Sequence, residues 1–222
     1  MTKEQYAKAR ESMVDSQIHP MGVVMESVLE AFQQVPREEF VPEEKKGICY
    51  CDEDIEIAPG RYLMEPSVLA RMVQAARPDE NDVALTIGSG IGYNATILSH
   101  LVSTVVALEE NELLFSQAQS SWDKLGNCNI AAIKGNPADG VPESAPYDII
   151  IVNGAVCEIP QSLKDQLSEG GRLVAVVKKV GQKIGKATLV KKDKEGLLSE
   201  SVLFDAGTPY LHGFEPKKEF VF

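Results

Sequence analysis

Cysteine is scarce. Four occur in 222 residues and no C-x-x-C is among them, which excludes a disulfide-stapled scaffold. Cys49 and Cys51 stand two apart and on a strand would share one face, and the expectation is four reduced, mostly buried thiols. Histidine is scarcer still. His19, His100 and His212 share no ligand spacing, so no metal site is expected. Positive charge is also short: 22 Lys and Arg face 33 Asp and Glu, a net of -11. A surface this acidic repels phosphate backbones and anionic lipid, so neither nucleic acid nor membrane is an expected partner. Long apolar runs are missing too, since stretches such as 149–152 are far too short to span a bilayer. The opening MTKEQYAKARESMVDSQI is polar and charged, does not read as a signal peptide, and places the chain in the cytoplasm.

What remains is 44% hydrophobic and 25% charged, the balance of an ordinary globular protein. The length suits one domain, 1–222, divided into a helical N-terminal cap (1–78), a nucleotide-binding core (79–180) and a hairpin with tail (181–222). Residues 4–18 read as an amphipathic helix. Residues 24–35 place Val24, Val28, Leu29 and Phe32 at helical spacing. From 38 to 56 eight acids face Lys45 and Lys46, a local net of -6 that reads as a solvated face. Pro66 opens a helix over 66–77. Short apolar runs then alternate with helices: strands at Val83–Ile87, 105–108, 130–133, 148–152 and 173–177, and helices at 93–102, 111–125 and 160–167. Runs such as VALTI and DIIIV are apolar on both faces, as a parallel sheet requires. The fold class is therefore α/β, a doubly wound and mostly parallel sheet. Segments 187–192 and 198–204 flank a turn and predict a β-hairpin at the sheet edge. Lysines 178, 179, 183, 186, 191, 192 and 194 suit either a solvated edge guarded against strand pairing or a guide for acidic peptides. Trp122 lies on an amphipathic helix and reads as core.

The run VALTIGSGIGYNATIL carries the most chemistry. A strand enters Gly88-Ser89-Gly90-Ile91-Gly92 and a helix follows. Glycines there remove the Cβ atoms that would keep a ligand from the backbone, and the helix start offers free N–H groups. Glu109 follows 21 residues after Gly88, at the end of the next strand. A carboxylate there can accept hydrogen bonds from both hydroxyls of an adenosine ribose. Placed at the surface of a cleft, it should be removable without loss of fold. Tyr93 replaces the third glycine of a dinucleotide fingerprint, and no G-K-[ST] closes a P-loop. A tight strand-to-helix turn without a ligand is the competing reading of the glycines alone.

The sequence resembles the protein-L-isoaspartate O-methyltransferases, within the class I S-adenosylmethionine-dependent methyltransferases. The resemblance rests on MVDSQI at 13–18, VPREEFVPEE at 35–44, IGSGIGYNATIL at 87–98, YDIIIVNGAVCEIP at 147–160 and GGRLVAVV at 170–177, in the family's order. It implies a sheet of about seven strands with a cofactor cleft at the carboxyl ends of the first strands. It also implies methyl transfer from S-adenosylmethionine to the carboxylate of an isoaspartyl protein or peptide. Gly88, Ser89, Gly90 and Gly92 would approach the methionine part and ribose, Glu109 would take the ribose hydroxyls, and Asn136 and Pro137 would lie beside the adenine.

Three positions depart from the family pattern. Tyr62-Leu63-Met64-Glu65-Pro66 stands where the family has T-I-S-Q-P, so Met64 replaces a serine near the transferred methyl group. Thr86 replaces the acid ending the first strand, and Asn136 an adenine-side Asp. Besides isoaspartyl repair, these changes leave open a methyltransferase with another carboxylate acceptor and a non-catalytic binding or scaffold relative.

Overall fold

The computed structural model describes residues 1–216. Residues 217–222, the end of the expected tail, lie outside the described residues. The elements in chain order are α1 (Lys3–Met13), α2 (Glu26–Gln34), β1 (Ile55–Ala58), β2 (Arg61–Leu63), α3 (Pro66–Ala76), β3 (Val83–Ile87), α4 (Tyr93–Ser99), β4 (Thr104–Glu109), α5 (Glu112–Leu125), β5 (Ile130–Lys134), β6 (Tyr147–Val156), α6 (Gln161–Asp165), β7 (Leu167–Val177), β8 (Gly185–Lys192) and β9 (Leu198–Ala206).

Seven strands form one sheet in the order β5-β4-β3-β6-β7-β8-β9. The first five are parallel, with Leu85 opposite Val106 on one side and Ile150 on the other. The expected edge hairpin is present as antiparallel β8 and β9. Alternate residues of each strand feed opposite faces. Ala84, Val105, Ile149, Ile151 and Val174 join one core with Phe32, Leu69 and Tyr93. Leu85, Val106, Ile150, Val152 and Leu173 join the other with Leu163, Leu211 and Phe214. Helices α1–α5 crowd the first face. The second is covered by the short α6 and by chain after β9, and 160–167 yields only one short helix, Gln161–Asp165, because β7 already begins at Leu167.

Several expectations need correction. The helix over 4–18 ends at Met13 and continues as a π turn, Val14–Ile18. Val24 is 70% exposed because the helix starts after it, at Glu26, and Val28 and Phe32 form the buried side. Cys49 and Cys51 lie in a turn and not on a strand, and only Cys49 is buried; Cys51 and Cys128 are exposed and Cys157 is intermediate. Within the acidic stretch Glu38 is buried, because Tyr50 donates to it and Arg10 stands 3.6 Å away. Within the basic stretch Lys178 is buried, its Nζ donating to the Thr208 carbonyl at 2.7 Å and lying 4.3 Å from the Tyr210 ring centroid. One element was not expected: β1 and β2 pair with each other as a separate two-stranded sheet.

Candidate functional site

Strand β3 ends among its parallel neighbours, and the glycine run turns the chain over their carboxyl ends. Gly88, Gly90 and Gly92 take φ of +68°, +58° and +97°, which residues with a Cβ rarely adopt. Space imposes the same choice. A Cβ on Gly88 would stand 2.5 Å from Leu211, on Gly90 2.8 Å from Ile57, and on Gly92 2.6 Å from Trp122. The indole of Trp122 donates to the Gly92 carbonyl at 3.1 Å, so the single tryptophan is core, as expected, and braces the loop.

Glu109, at the end of β4, reaches the same loop. Its Oε2 accepts from the Gly90 N–H at 2.8 Å, and its Oε1 accepts from the Asn111 N–H at 2.9 Å. Asn111 in turn caps α5, its side chain accepting from the N–H groups of Leu113 and Leu114. Contrary to the expectation of a group at the cleft surface, Glu109 is 1% exposed. The reason is Arg61, on β2, whose guanidinium donates to Oε1 and Oε2 at 2.7 Å each. Two backbone donors and a guanidinium fork together fill the lone pairs of the carboxylate.

A polar ladder lies on the other side of the loop. Asn94 donates to Thr86 Oγ1 at 3.0 Å and to Asn153 Oδ1 at 2.7 Å. Asn153 donates to the same Thr86 oxygen at 2.7 Å and to the Ile87 carbonyl at 2.9 Å. A shift in the β6–β7 register between Ile151 and Ala155 marks where β6 turns Asn153 toward the loop. Ser89 Oγ, Asn94 Oδ1 and Thr208 Oγ1 are buried and reach no partner among the described residues. Unpaired buried polar atoms of this kind are costly in a finished core and expected where a ligand docks.

Met64 is buried. With Ser89, Asn94 and Asn153 it lines a crevice of about 10 Å³, and it also lines a second of the same size with Arg61, Thr208 and Tyr210. That is room for a single water. The residues present fit an adenosylated ligand: three left-handed glycines, a strand-end carboxylate and an unpaired Ser89 hydroxyl. The space beside them is taken by Ile57, Arg61 and Leu211. Asn136 is exposed on the turn after β5, accepting from Ala138 and donating to Asp139, and Pro137 is buried next to it. The Gly135 N–H donates to the Glu109 carbonyl at 3.3 Å, so this turn adjoins the carboxylate strand end.

The backbone at Met64 is held from the N-terminal cap. Arg37, fully buried, donates to the Met64 carbonyl at 2.6 Å and to the Cys49 carbonyl at 2.7 Å, with its guanidinium 4.8 Å from the Tyr93 ring centroid. Burial pulls its pKa below the ordinary arginine value. Beside Met64, burial and then the nearby Asp54, Asp52 and Glu53 push the Glu65 carboxyl up to about 7. The structure places Gly88, Ser89, Gly90, Gly92, Glu109 and Met64 around the same loop. Sequence reasoning missed Arg61, Arg37, Asn94 and Asn153. Of these, Arg37 and Asn94 lie inside the family-like runs VPREEFVPEE and IGSGIGYNATIL, whereas nothing around Arg61 marks it out.

Comparison with known proteins shows the family and the fold. A sequence model of the protein-L-isoaspartate(D-aspartate) O-methyltransferase family matches residues 8–206. A protein-L-isoaspartate O-methyltransferase of Koribacter versatilis is 35% identical over 200 residues, covering 90% of this chain and 89% of the relative. One of Methanoculleus marisnigri is 38% identical over 170 residues, covering 77% of each. Among solved structures, a protein-L-isoaspartate O-methyltransferase superimposes with a TM-score of 0.80 at 28% identity, over 92% of this chain and 66% of that longer one. A Plasmodium falciparum protein bearing the same enzyme designation, solved in complex with S-adenosyl-L-homocysteine, shares the fold with a TM-score of 0.74 at 21% identity, over 91% and 97%.

Proposed function

Because this chain belongs to the protein-L-isoaspartate O-methyltransferase family, we propose that it methylates the abnormal carboxylate of isoaspartyl residues, using S-adenosylmethionine as the donor. The observation that carries this reading is the Gly90 N–H bonded to the Glu109 carboxylate, which joins the glycine loop and the strand-end acid into one frame. Gly88, Ser89, Gly90 and Gly92 would hold the methionine part and ribose, Glu109 the ribose hydroxyls, and Asn136 with Pro137 the adenine. The cofactor supplies a methyl group on a positively charged sulfur, ready for displacement by an anion.

The chain itself has little proton chemistry to do. An isoaspartyl carboxylate is ionised at neutral pH, so no general base is required. The buried walls from Met64, Asn94 and Asn153 keep water out and fix the approach. Arg37 contributes by anchoring the Met64 backbone, and Asn94 and Asn153 both donate to the Thr86 hydroxyl near the end of β3. Met64 cannot donate the hydrogen bond that a serine would. Loss of about 1.5–3 kcal/mol of orientation slows transfer by roughly 10- to 150-fold. Methylation of isoaspartyl peptides is therefore expected to be slow, and Met64→Ser to accelerate it.

One observation favours a second reading, a relative that binds without catalysing: the missing hydroxyl at Met64. Transfer of labelled methyl groups to an isoaspartyl peptide, with a calorimetric titration of S-adenosyl-L-homocysteine, separates the two. Binding with transfer supports repair, binding without transfer supports the second reading, and no binding by the native chain or by Arg61→Ala overturns both. Among the described residues no helix is long and apolar enough to cross a membrane. The four free thiols suit a reducing compartment, for which we propose the cytoplasm.

A further inference from the structure

The ribose-accepting oxygens of Glu109 are already in use. Oε1 and Oε2 each take one backbone N–H, from Asn111 and Gly90, and each takes one N–H of Arg61 at 2.7 Å. The backbone donors belong to the frame of the site and stay with it. The lone pairs that a ribose diol would use are those the guanidinium holds. Arg61 and a cofactor ribose therefore compete for the same atoms. The hairpin reinforces this, because Ile57 of β1 lies against Gly90, where a ligand would approach the loop backbone.

The competitor sits on an element outside the main sheet. Strands β1 and β2 have four and three residues and pair only with each other, outside the seven-stranded sheet. A two-stranded hairpin of this size is marginal by itself, so side-chain contacts decide whether it stays docked. Arg61 also has somewhere to go. Glu110 Oε1 lies 3.6 Å from its Nη1, and that side chain is 28% exposed. Leaving Glu109 need not strand the guanidinium without a carboxylate.

We propose that Arg61 sets the cofactor affinity of this protein by occupying, within the chain, the carboxylate that the ribose requires, so that cofactor entry displaces the β1–β2 hairpin. This rests on the cofactor reading above. When the binding-competent state is only a fraction of the population, apparent affinity falls by that fraction. Arg61 is thus a residue that controls access and takes no part in the methyl transfer.

The test is a calorimetric titration of S-adenosyl-L-homocysteine into the native chain, Arg61→Ala and Arg61→Gln, with hydrogen exchange followed at 55–63 and 88–92. Removing the guanidinium should tighten binding by at least about tenfold, where a merely structural arginine would weaken it. The product should speed exchange at 55–63 in the native chain while protecting 88–92. Trp122, bonded to Gly92, gives an independent fluorescence signal of loop occupancy. If Arg61→Ala does not fold, Arg61→Gln is read the same way. Native binding with equal or weaker binding by the folded variant overturns the competition alone, as does unchanged exchange at 55–63 on binding. No binding by the native chain with tight binding by the variant supports it. No binding by either overturns both the competition and the cofactor reading.

Discussion

Two antiparallel hairpins interrupt this parallel fold, and they are attached by different forces. The β8–β9 hairpin continues the main sheet: β8 pairs with β7 on one side and β9 on the other over most of its length. The β1–β2 hairpin joins no strand of that sheet and is tied down by side chains, among them Arg61 on Glu109, Ile57 on the glycine loop and the buried Ile55 and Leu63. A backbone ladder gains cooperatively with every paired residue. A side-chain clasp can be exchanged for another partner of the same chemistry. The difference separates the hairpin that is part of the scaffold from the one that can respond to a ligand.

The comparison breaks most visibly if the scaffold hairpin tolerates disruption. Val190 is buried in β8 between Leu173 and Glu200. Val190→Pro removes a ladder hydrogen bond in an interior strand and should give the largest loss of this set in denaturant unfolding. A loss below 1 kcal/mol, on the order of a surface substitution, would mean that this hairpin is not integral either.

Arg37 tests the anchor beneath the Met64 segment, just beyond β2. Arg37→Ala leaves two buried carbonyls, of Cys49 and Met64, without their donors. With hydrogen bonds to a charged group worth about 1.5–3 kcal/mol each, offset by relief of a buried charge, the expected loss is about 2–4 kcal/mol. Arg37→Lys should restore little, since one ammonium cannot span both carbonyls as the fork does. Full recovery with lysine would show that charge alone matters there.

Glu109→Gln probes the clasp directly. Arg61 loses its ionic partner, and a stability loss of about 1.5–3 kcal/mol is expected, together with faster hydrogen exchange at 55–63. Unchanged exchange would show that packing, and not the clasp, holds this hairpin.

The smallest effect is a pH dependence beside Met64. Glu65 has a carboxyl raised by burial and by the neighbouring acids to about 7 in the folded chain, above its ordinary value. The folded state therefore holds this proton more tightly than the unfolded state. The stabilisation is complete below the ordinary carboxyl pKa and is lost as pH rises through about 7. Thermal midpoints should fall modestly from pH 5 to pH 8, and Glu65→Gln should flatten that part of the profile. An equally steep profile in the variant would assign the dependence to other groups.

The sheet was legible because its strands announce themselves locally. VALTI and DIIIV are apolar on both faces, which only a strand covered on both sides rewards. The glycine loop was legible because three positions demand left-handed backbone, and the edge hairpin because a turn separates two strand-like runs. The β1–β2 hairpin was not. IEIA and RYL are too short to carry a period and lie in or beside a run of acids that reads as solvent-facing. Its partner residue is equally hidden. Arg61 meets Glu109 across 48 positions, and no local pattern links two ions so far apart. Arg37 shows the same gap, its two carbonyl partners lying 12 and 27 positions away.

The sequence by itself determined the fold class, the place of the glycine loop and the carboxylate at the end of the next strand. Each follows from a constraint that neighbouring residues impose: two-sided burial, positive φ, and the spacing of one strand–helix–strand unit. Only the tertiary structure decided that Glu109 is buried, that its oxygens are held by Arg61, and that Asn94 and Asn153 meet at the Thr86 hydroxyl. Those facts depend on which distant side chains meet over the strand ends. A charge seeking a partner accepts any geometry that brings one within reach, so the pairing is fixed by packing and leaves no mark in the local sequence.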